Sequence, residues 1–345
     1  MKIDTNIGGS IDGTGGGELG VLADQLRTAE KLGFDGVWST EVSRDPFLPL
    51  LLAADRSSTL QIGTAVAVAF ARSPMTTAAV SYDLNTFSNG RFVLGLGSQI
   101  RAHIERRFGM PWSAPAERMA EYIRALHAIW HSWETGEKLD FRGEHYHHTL
   151  MTPMFCPEPN PYGRPRVMVA AVGPKMTAVA AKMADGLLIH GFTTRRYLSE
   201  VTVPIVEAGL SERRWARDSF STVYPGLVIT GDTEERYARA VDQVRRQIAF
   251  YGATPAYRAV LDLHGWGDLH TEFHRLSRRG DWATMTGLID DDVLDTFAVS
   301  GAPDAVGRRI VERFAGLVDR FTLYTPYPLD DLARAAIIEG VRAVR

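Results

Sequence analysis

Leu60–Gly97 reads LQIGTAVAVAFARSPMTTAAVSYDLNTFSNGRFVLGLG, and this stretch decides the fold. Its opening segment, Leu60–Val68, is a near-continuous apolar run of the kind a strand buried on both faces requires. Ser73-Pro74 then supplies a helix N-cap and a proline at the first helical position. Asn89-Gly90 is a left-handed stop, and Arg91–Leu96 (RFVLGL) is a second buried strand. Alternation of this kind implies parallel strands joined by right-handed helical crossovers.

The same alternation extends in both directions. Lys2–Ile7 alternates like a short strand, and Leu19, Leu22, Leu26 and Ala29 recur at helical spacing until Gly33. Gly36–Ser39 is a strand and Pro46–Ser57 a helix, which Pro49 obliges to start near itself or to kink. Met119, Ile123, Leu126 and Trp130 line one face of a helix from about Pro115 to Trp133. Further on, strands are expected at Arg166–Ala171, Gly186–His190, Thr222–Thr230 and Val318–Tyr324. Helices are expected at Lys175–Ala184, Thr194–Leu210, Asp232–Tyr251, Pro303–Gly316 and Leu329–Val341. Two segments, at about 134–166 and 253–290, break the pattern after the fourth and seventh helices and read as irregular surface insertions. Eight strand and helix units without a composition shift predict one α/β domain over 1–345, a (β/α)₈ TIM-type barrel.

A doubly wound open sheet is the competing architecture. The glycines of Gly13–Gly20 (GTGGGELG) lack the G-x-G-x-x-G order and the Lys-Ser/Thr of a phosphate loop, and read as a flexible loop. Gly95-Leu96-Gly97-Ser98-Gln99-Ile100 puts Ile100 where a dinucleotide fingerprint needs its third glycine. Its small residues instead allow something to approach the backbone at a strand's C-terminal end.

Composition narrows the function. The 345 residues are 45% hydrophobic and 23% charged, with 38 Lys+Arg against 41 Asp+Glu for a net charge of −3. No basic run marks a nucleic-acid or anionic-lipid footprint, so nucleic acid is not expected as a partner. The longest apolar stretch, around Thr64–Ala71, is far short of the roughly 20 residues of a membrane span, and Met1–Ser10 carries no signal layout. The single cysteine, Cys156, rules out an internal disulfide and a Cys-rich zinc site, and fits a reducing, cytoplasmic setting. It lies in the Pro-rich stretch Pro153–Pro165 and reads as a bystander to the chemistry.

Barrel chemistry belongs at strand C-termini. Ala171-Val172-Gly173-Pro174-Lys175 turns a strand into a helix and presents free amides and a lysine to an anion, although a plain turn with proline at N1 reads the same way. Thr193-Thr194-Arg195-Arg196 adds hydroxyls and guanidinium groups for a phosphate or carboxylate tail, or is a solvated helix start. His103 and His190 lie at or beyond strand ends, where a proton donor, a cofactor contact or a structural imidazole fits. Glu41, right after the second strand, either bonds a ligand or pairs with Arg44. His145, His147 and His148 look like a surface hairpin. His270 and His274 share an i, i+4 spacing, but their glutamate is misplaced for a zincin, so no metal site is expected.

Four segments in order resemble the bacterial luciferase-like superfamily, in its branch of oxidoreductases using the deazaflavin coenzyme F420. They are Ala29–Trp38 (AEKLGFDGVW), Gly63-Thr64 with Arg72-Ser73-Pro74, Ser88–Gly97, and Val169-Ala170-Ala171 through Ala184-Asp185-Gly186. The resemblance implies a deazaflavin at the strand C-termini, its ring against a bulge with a non-prolyl cis peptide joining Ala65 and Val66. It places the phosphate near Ala171, Val172, Gly173, Pro174 and Lys175, with Ser98, His103, Arg195 and Arg196 as further contacts. His103, Glu41 and His190, chosen by their places at strand ends, are the catalytic candidates, and the resemblance implies a homodimer or larger homo-oligomer. Departures limit the transfer. Sugar-phosphate dehydrogenases of this branch carry Asp-His after the second strand and Glu after the fourth, where this chain has Glu41-Val42 and Ile100. Ser98 stands where luciferases proper have an arginine for the FMN phosphate, which favours deazaflavin over FMN, with Arg101 a possible substitute. The alternatives are a reduced-FMN monooxygenase, a cofactor-binding protein without turnover and a metal-dependent barrel hydrolase.

Overall fold

Parallel strands need both faces covered, and in the computed structural model, described for residues 1–8, 18–213 and 220–344, they obtain this by closing into a ring. The strands are β1 (Lys2–Ile7), β2 (Gly36–Ser39), β3 (Gln61–Thr64, resuming at Ala67–Val68) and β4 (Phe92–Gly97). They continue as β5 (Arg166–Ala171), β6 (Gly186–Ile189), β7 (Ser221–Ile229) and β8 (Arg320–Tyr324). Each pairs in parallel with the next, and β8 returns to β1 with Lys2 opposite Arg320, so the expected eight-stranded barrel is closed. Around it run α1 (Leu19–Leu32), α2 (Leu48–Arg56), α3 (Pro74–Phe87), α4 (Pro115–Thr135) and α5 (Pro174–Met183). The ring of helices is completed by α6 (195–211), α7 (Glu234–Gly252), α8 (Pro303–Phe314) and α9 (Asp331–Ala343).

The interior is packed by Trp38, Val93, Met168, Leu188 and Val223, one from each of five strands. Beneath them Asp4 and Arg320, both buried, form an ion pair in which Arg320 Nε donates to Asp4 Oδ2 at 2.7 Å and Trp38 Nε1 donates to the same oxygen at 2.9 Å. This pair ties β8, β1 and β2 together from inside. Outside, Met119, Ile123, Leu126 and Trp130 of α4 are fully buried, as their spacing predicts. Among the described residues no helix is long and apolar enough to cross a membrane.

Four local expectations need correction. Leu60–Val68 is not one continuous strand, because it breaks after Thr64 and resumes at Ala67. The segment 253–290 is not irregular: it holds helices at Arg258–Leu263, Gly267–Ser277 and Trp282–Gly287, followed by Asp291–Phe297. Ala298–Ser300 is an unforeseen strand that pairs with Leu227–Ile229 of β7 on the edge β6 does not reach. In α6 the turn Leu198–Thr202 is a π-helix, where Pro204 has no N–H to give to Glu200. The hairpin read around the histidines is present as Phe141–Arg142 paired with His147–His148. Most of Gly13–Gly20 lies outside the described residues.

Candidate active site

Beyond Thr64 the backbone of β3 bulges, and the Ala65–Val66 peptide is cis as expected. The surrounding strands are shaped to it. Thr64 Oγ1 donates to Gly95 O at 2.7 Å and accepts Gly95 N–H at 2.9 Å, while Thr40 Oγ1 donates to Ala65 O at 2.9 Å. A Cβ on Gly95 would stand 1.9 Å from Thr64 O, and one on Gly97 would stand 2.6 Å from Val66 Cγ2. Gly95 and Gly97 therefore make room for this chain's own bulge. Ala65 and Val66 are half-exposed between buried Thr64 and buried Ala67, and with Ala170 they lie over the interior core. They form a small-residue apolar floor at the barrel mouth.

Glu41 belongs to the support of this floor. Its Oε2 accepts Val68 N–H at 2.7 Å and pairs with Arg72 Nη1 at 2.7 Å, and it is buried. Arg44 is therefore not its partner. Arg72 also reaches Asp45 at 3.2 Å, so the carboxylate is committed to holding the segment after the bulge.

Across the mouth stands a wall of a different character. His190 follows β6 two residues after the interior Leu188 and so continues its inward face. Its ring stacks on Tyr257 with centroids 4.3 Å apart and meets Tyr251 edge-on at 4.8 Å. Nδ1 accepts Phe192 N–H at 3.0 Å and Nε2 lies 3.0 Å from Tyr257 Oη. Burial pushes the imidazole down to about 4, so it is neutral at pH 7. Tyr251 and Tyr324 hydroxyls hydrogen-bond to each other at 3.1 Å. Sequence reasoning found His190 but missed Tyr251 and Tyr257, which come from the end of α7 and from the insertion. Their only signal was the aromatic content of that segment.

The remaining candidates divide. Gly173 precedes α5 without a side-chain cap, and Lys175 is exposed and makes no ion pair among the described residues. Ser98 Oγ donates to Gln99 O at 3.2 Å. Thr193 Oγ1 is buried without a hydrogen-bond partner. Arg195 and Arg196 are otherwise engaged: Arg195 Nε donates to Arg313 O at 3.1 Å, and Arg196 bonds Glu200 at 3.0 Å and Leu263 O at 3.0 Å. No hydrogen bond or ion pair joins either to the Ala171–Lys175 turn. Arg101 pairs with Glu105, and His103 is exposed on the short helix Arg101–Arg106. His270 and His274 point Nδ1 at Gly252 O and Ala253 O, 2.8 and 3.3 Å away, capping the end of α7. A cleft of about 770 Å³ lies away from the floor, between α7 and Trp282–Gly287.

Comparison with known proteins follows this geometry. Residues 3–320 match the family model described as luciferase-like monooxygenase. The chain belongs to this family. Its relatives include an uncharacterized protein of Mycobacterium tuberculosis, 52% identical over 310 residues, which cover 90% of this chain and 91% of that one. The 5,10-methylenetetrahydromethanopterin reductase of Archaeoglobus fulgidus is 29% identical over 297 residues, 83% of this chain and 84% of its own. The coenzyme F420 dependent tetrahydromethanopterin reductase of Methanopyrus kandleri has the same fold at a TM-score of 0.79. It is 20% identical, with 100% of this chain and 99% of that one covered. In this luciferase-like chain the rim positions after β2 and β4 carry Val42 and Ile100, both exposed and apolar.

Proposed function

We propose that the chain is a deazaflavin-dependent oxidoreductase that moves a hydride between coenzyme F420 and a small organic substrate at the barrel mouth. The observation that carries this reading is the barrel mouth, where Ala65, Val66 and Ala170 pack on the interior core that includes Leu188, and His190, two residues beyond Leu188, joins Tyr257, Tyr251 and Tyr324 in an imidazole–phenol cluster. A planar ring needs a floor without protruding side chains, and Gly97 keeps β4 low beside Val66. Nothing stands within 4 Å of the Cβ position of Gly173, so the uncapped first turn of α5 is open to a phosphate. Exposed Lys175 and half-buried Ser98 would complete that cradle.

When bound, the deazaflavin supplies the carbon that carries the hydride. The chain's residues supply the rest: the floor orients the ring, and exposed Val42 and Ile100 form an apolar lip that limits water. Glu41 acts on none of this directly, since its charge is used on Arg72 and Val68 N–H. His103 stays within the proposal as a contact at the rim, and a homo-oligomer as the assembly, to be read by sedimentation velocity. The methanopterin reductases among the relatives support F420, one of them being named coenzyme F420 dependent. Reduced FMN is the second reading, favoured by the family's description as monooxygenases.

Titration of the protein with F420 and with FMN in one buffer, followed by fluorescence and absorbance, separates the two. F420 is expected to bind at least about tenfold more tightly, near 1.4 kcal/mol. Equal or tighter FMN binding would overturn the assignment.

A further inference from the structure

The hydrogen-bond census of the wall leaves two phenol protons without an acceptor among the described residues, one on Tyr257 and one in the Tyr251–Tyr324 pair. His190 Nδ1 takes Phe192 N–H and so carries no hydrogen of its own, which in a neutral imidazole puts the proton on Nε2. Nε2–H therefore donates to Tyr257 Oη, 3.0 Å away. The phenol's own hydrogen is left with no acceptor among the described residues. Tyr327 has no free hydrogen, since its Oη accepts Thr230 N–H at 3.0 Å and donates to Val228 O at 2.9 Å. Tyr251 and Tyr324 share one bond at 3.1 Å, which uses one of their two hydrogens, and of the two free donors only that of Tyr257 sits on an oxygen held by an imidazole N–H.

We propose that the Tyr257 hydroxyl is the hydrogen-bond donor that receives the substrate, and that the substrate carries an acceptor oxygen or nitrogen, as in a carbonyl or imine, at its reacting carbon. This rests on the oxidoreductase reading above and names the substrate class for that site. Tyr257 comes from the insertion, is held by the stack on His190 and faces Tyr251 and Phe192, at 6.0 and 5.7 Å between centroids. Burial, and after it the neighbouring Tyr251 phenol, raises its pKa. The hydroxyl thus remains an O–H donor at neutral pH. A fixed donor of this kind gains strength as negative charge develops on the acceptor atom. His190 acts through Tyr257 and is a positioning residue.

The test uses the full chain loaded with F420, ¹⁵N-histidine labelling and isobutyramide as an inert carbonyl probe. His190 is expected as the Nε2–H tautomer at pH 7, and an Nδ1–H tautomer would overturn the census. Tyr257→Phe should weaken isobutyramide binding by about tenfold, roughly one lost hydrogen bond, with F420 affinity unchanged. His190→Ala should weaken it similarly and His190→Gln, which keeps a donor for Tyr257 Oη, should restore most of the affinity. Equal isobutyramide affinity in wild type and Tyr257→Phe, or no binding to wild type, overturns the proposal. If F420 itself fails to bind, the cofactor reading falls separately. The same amide titration on the unloaded protein then decides Tyr257 by the same outcomes.

Discussion

Gly97→Ala would place a methyl group 2.6 Å from Val66 Cγ2, so the floor must shift before the strand can accept it. Cofactor affinity should fall by about tenfold or more, and Val66→Ala in the same chain should recover part of it, because the clash lies between two removable groups. A titration of the single and double variants checks both statements. Asp4→Ala is expected to act on folding instead. It leaves Arg320 buried and unpaired inside the ring, a loss of about 3–5 kcal/mol measurable by urea unfolding. At this scale the sequence was informative where a residue's type was constrained by the backbone. Gly95 and Gly97 were read as making room at a strand end, but not that the bulge of β3 fills it. Glu41 was legible as a rim carboxylate, whereas its partner Arg72 lies 31 residues on and becomes adjacent only once β2 and β3 pair.

Among elements, the hairpin 141–148 is held to α4 by Arg118 and Tyr122, which meet Tyr146, and above all by Glu121. Glu121 of α4 accepts the N–H groups of Glu144, His145 and Tyr146 at 2.9, 2.7 and 2.7 Å. Burial works to raise its pKa, but these bonds hold the carboxyl below the usual carboxylate range. Glu121→Ala should destabilise the protein by about 3 kcal/mol, since three amides lose a charged acceptor, and should make the hairpin the first site of limited proteolysis. The barrel's strands and long helices were legible because each carries several periods of its apolar pattern. The helices of 253–290 were not, because pieces such as Arg258–Leu263 and Trp282–Gly287 are too short for a period to show. Tyr257 was hidden for the same reason, and Tyr251, at the end of a legible helix, for another. Nothing local says that the end of α7 and the insertion after it fold back over His190.

For the molecule as a whole, two imidazoles set a shared acid limit. His127 and His190 are both held neutral, with pKa values lowered to about 4, mainly by burial and at His127 also by the charge of Arg164. In the unfolded chain both would titrate near 6.5, so between roughly 6.5 and 4 the unfolded state binds protons that the folded state refuses. The stability these groups contribute is fully present above about pH 6.5 and is lost as the pH falls through that window. The melting temperature should therefore drop from pH 7 to 4.5, and His127→Gln should flatten part of the drop. Binding of the cofactor at the barrel mouth, as against the cleft beside Trp282, is read out by ¹³C-methyl NMR of the full chain titrated with F420. The Val66 and Ala170 methyl resonances are expected to shift under the ring current of the bound deazaflavin while those of Ala249 and Ala283, in the cleft beside Trp282, stay in place. Unmoved Val66 and Ala170 with shifted Ala249 and Ala283 would contradict the account.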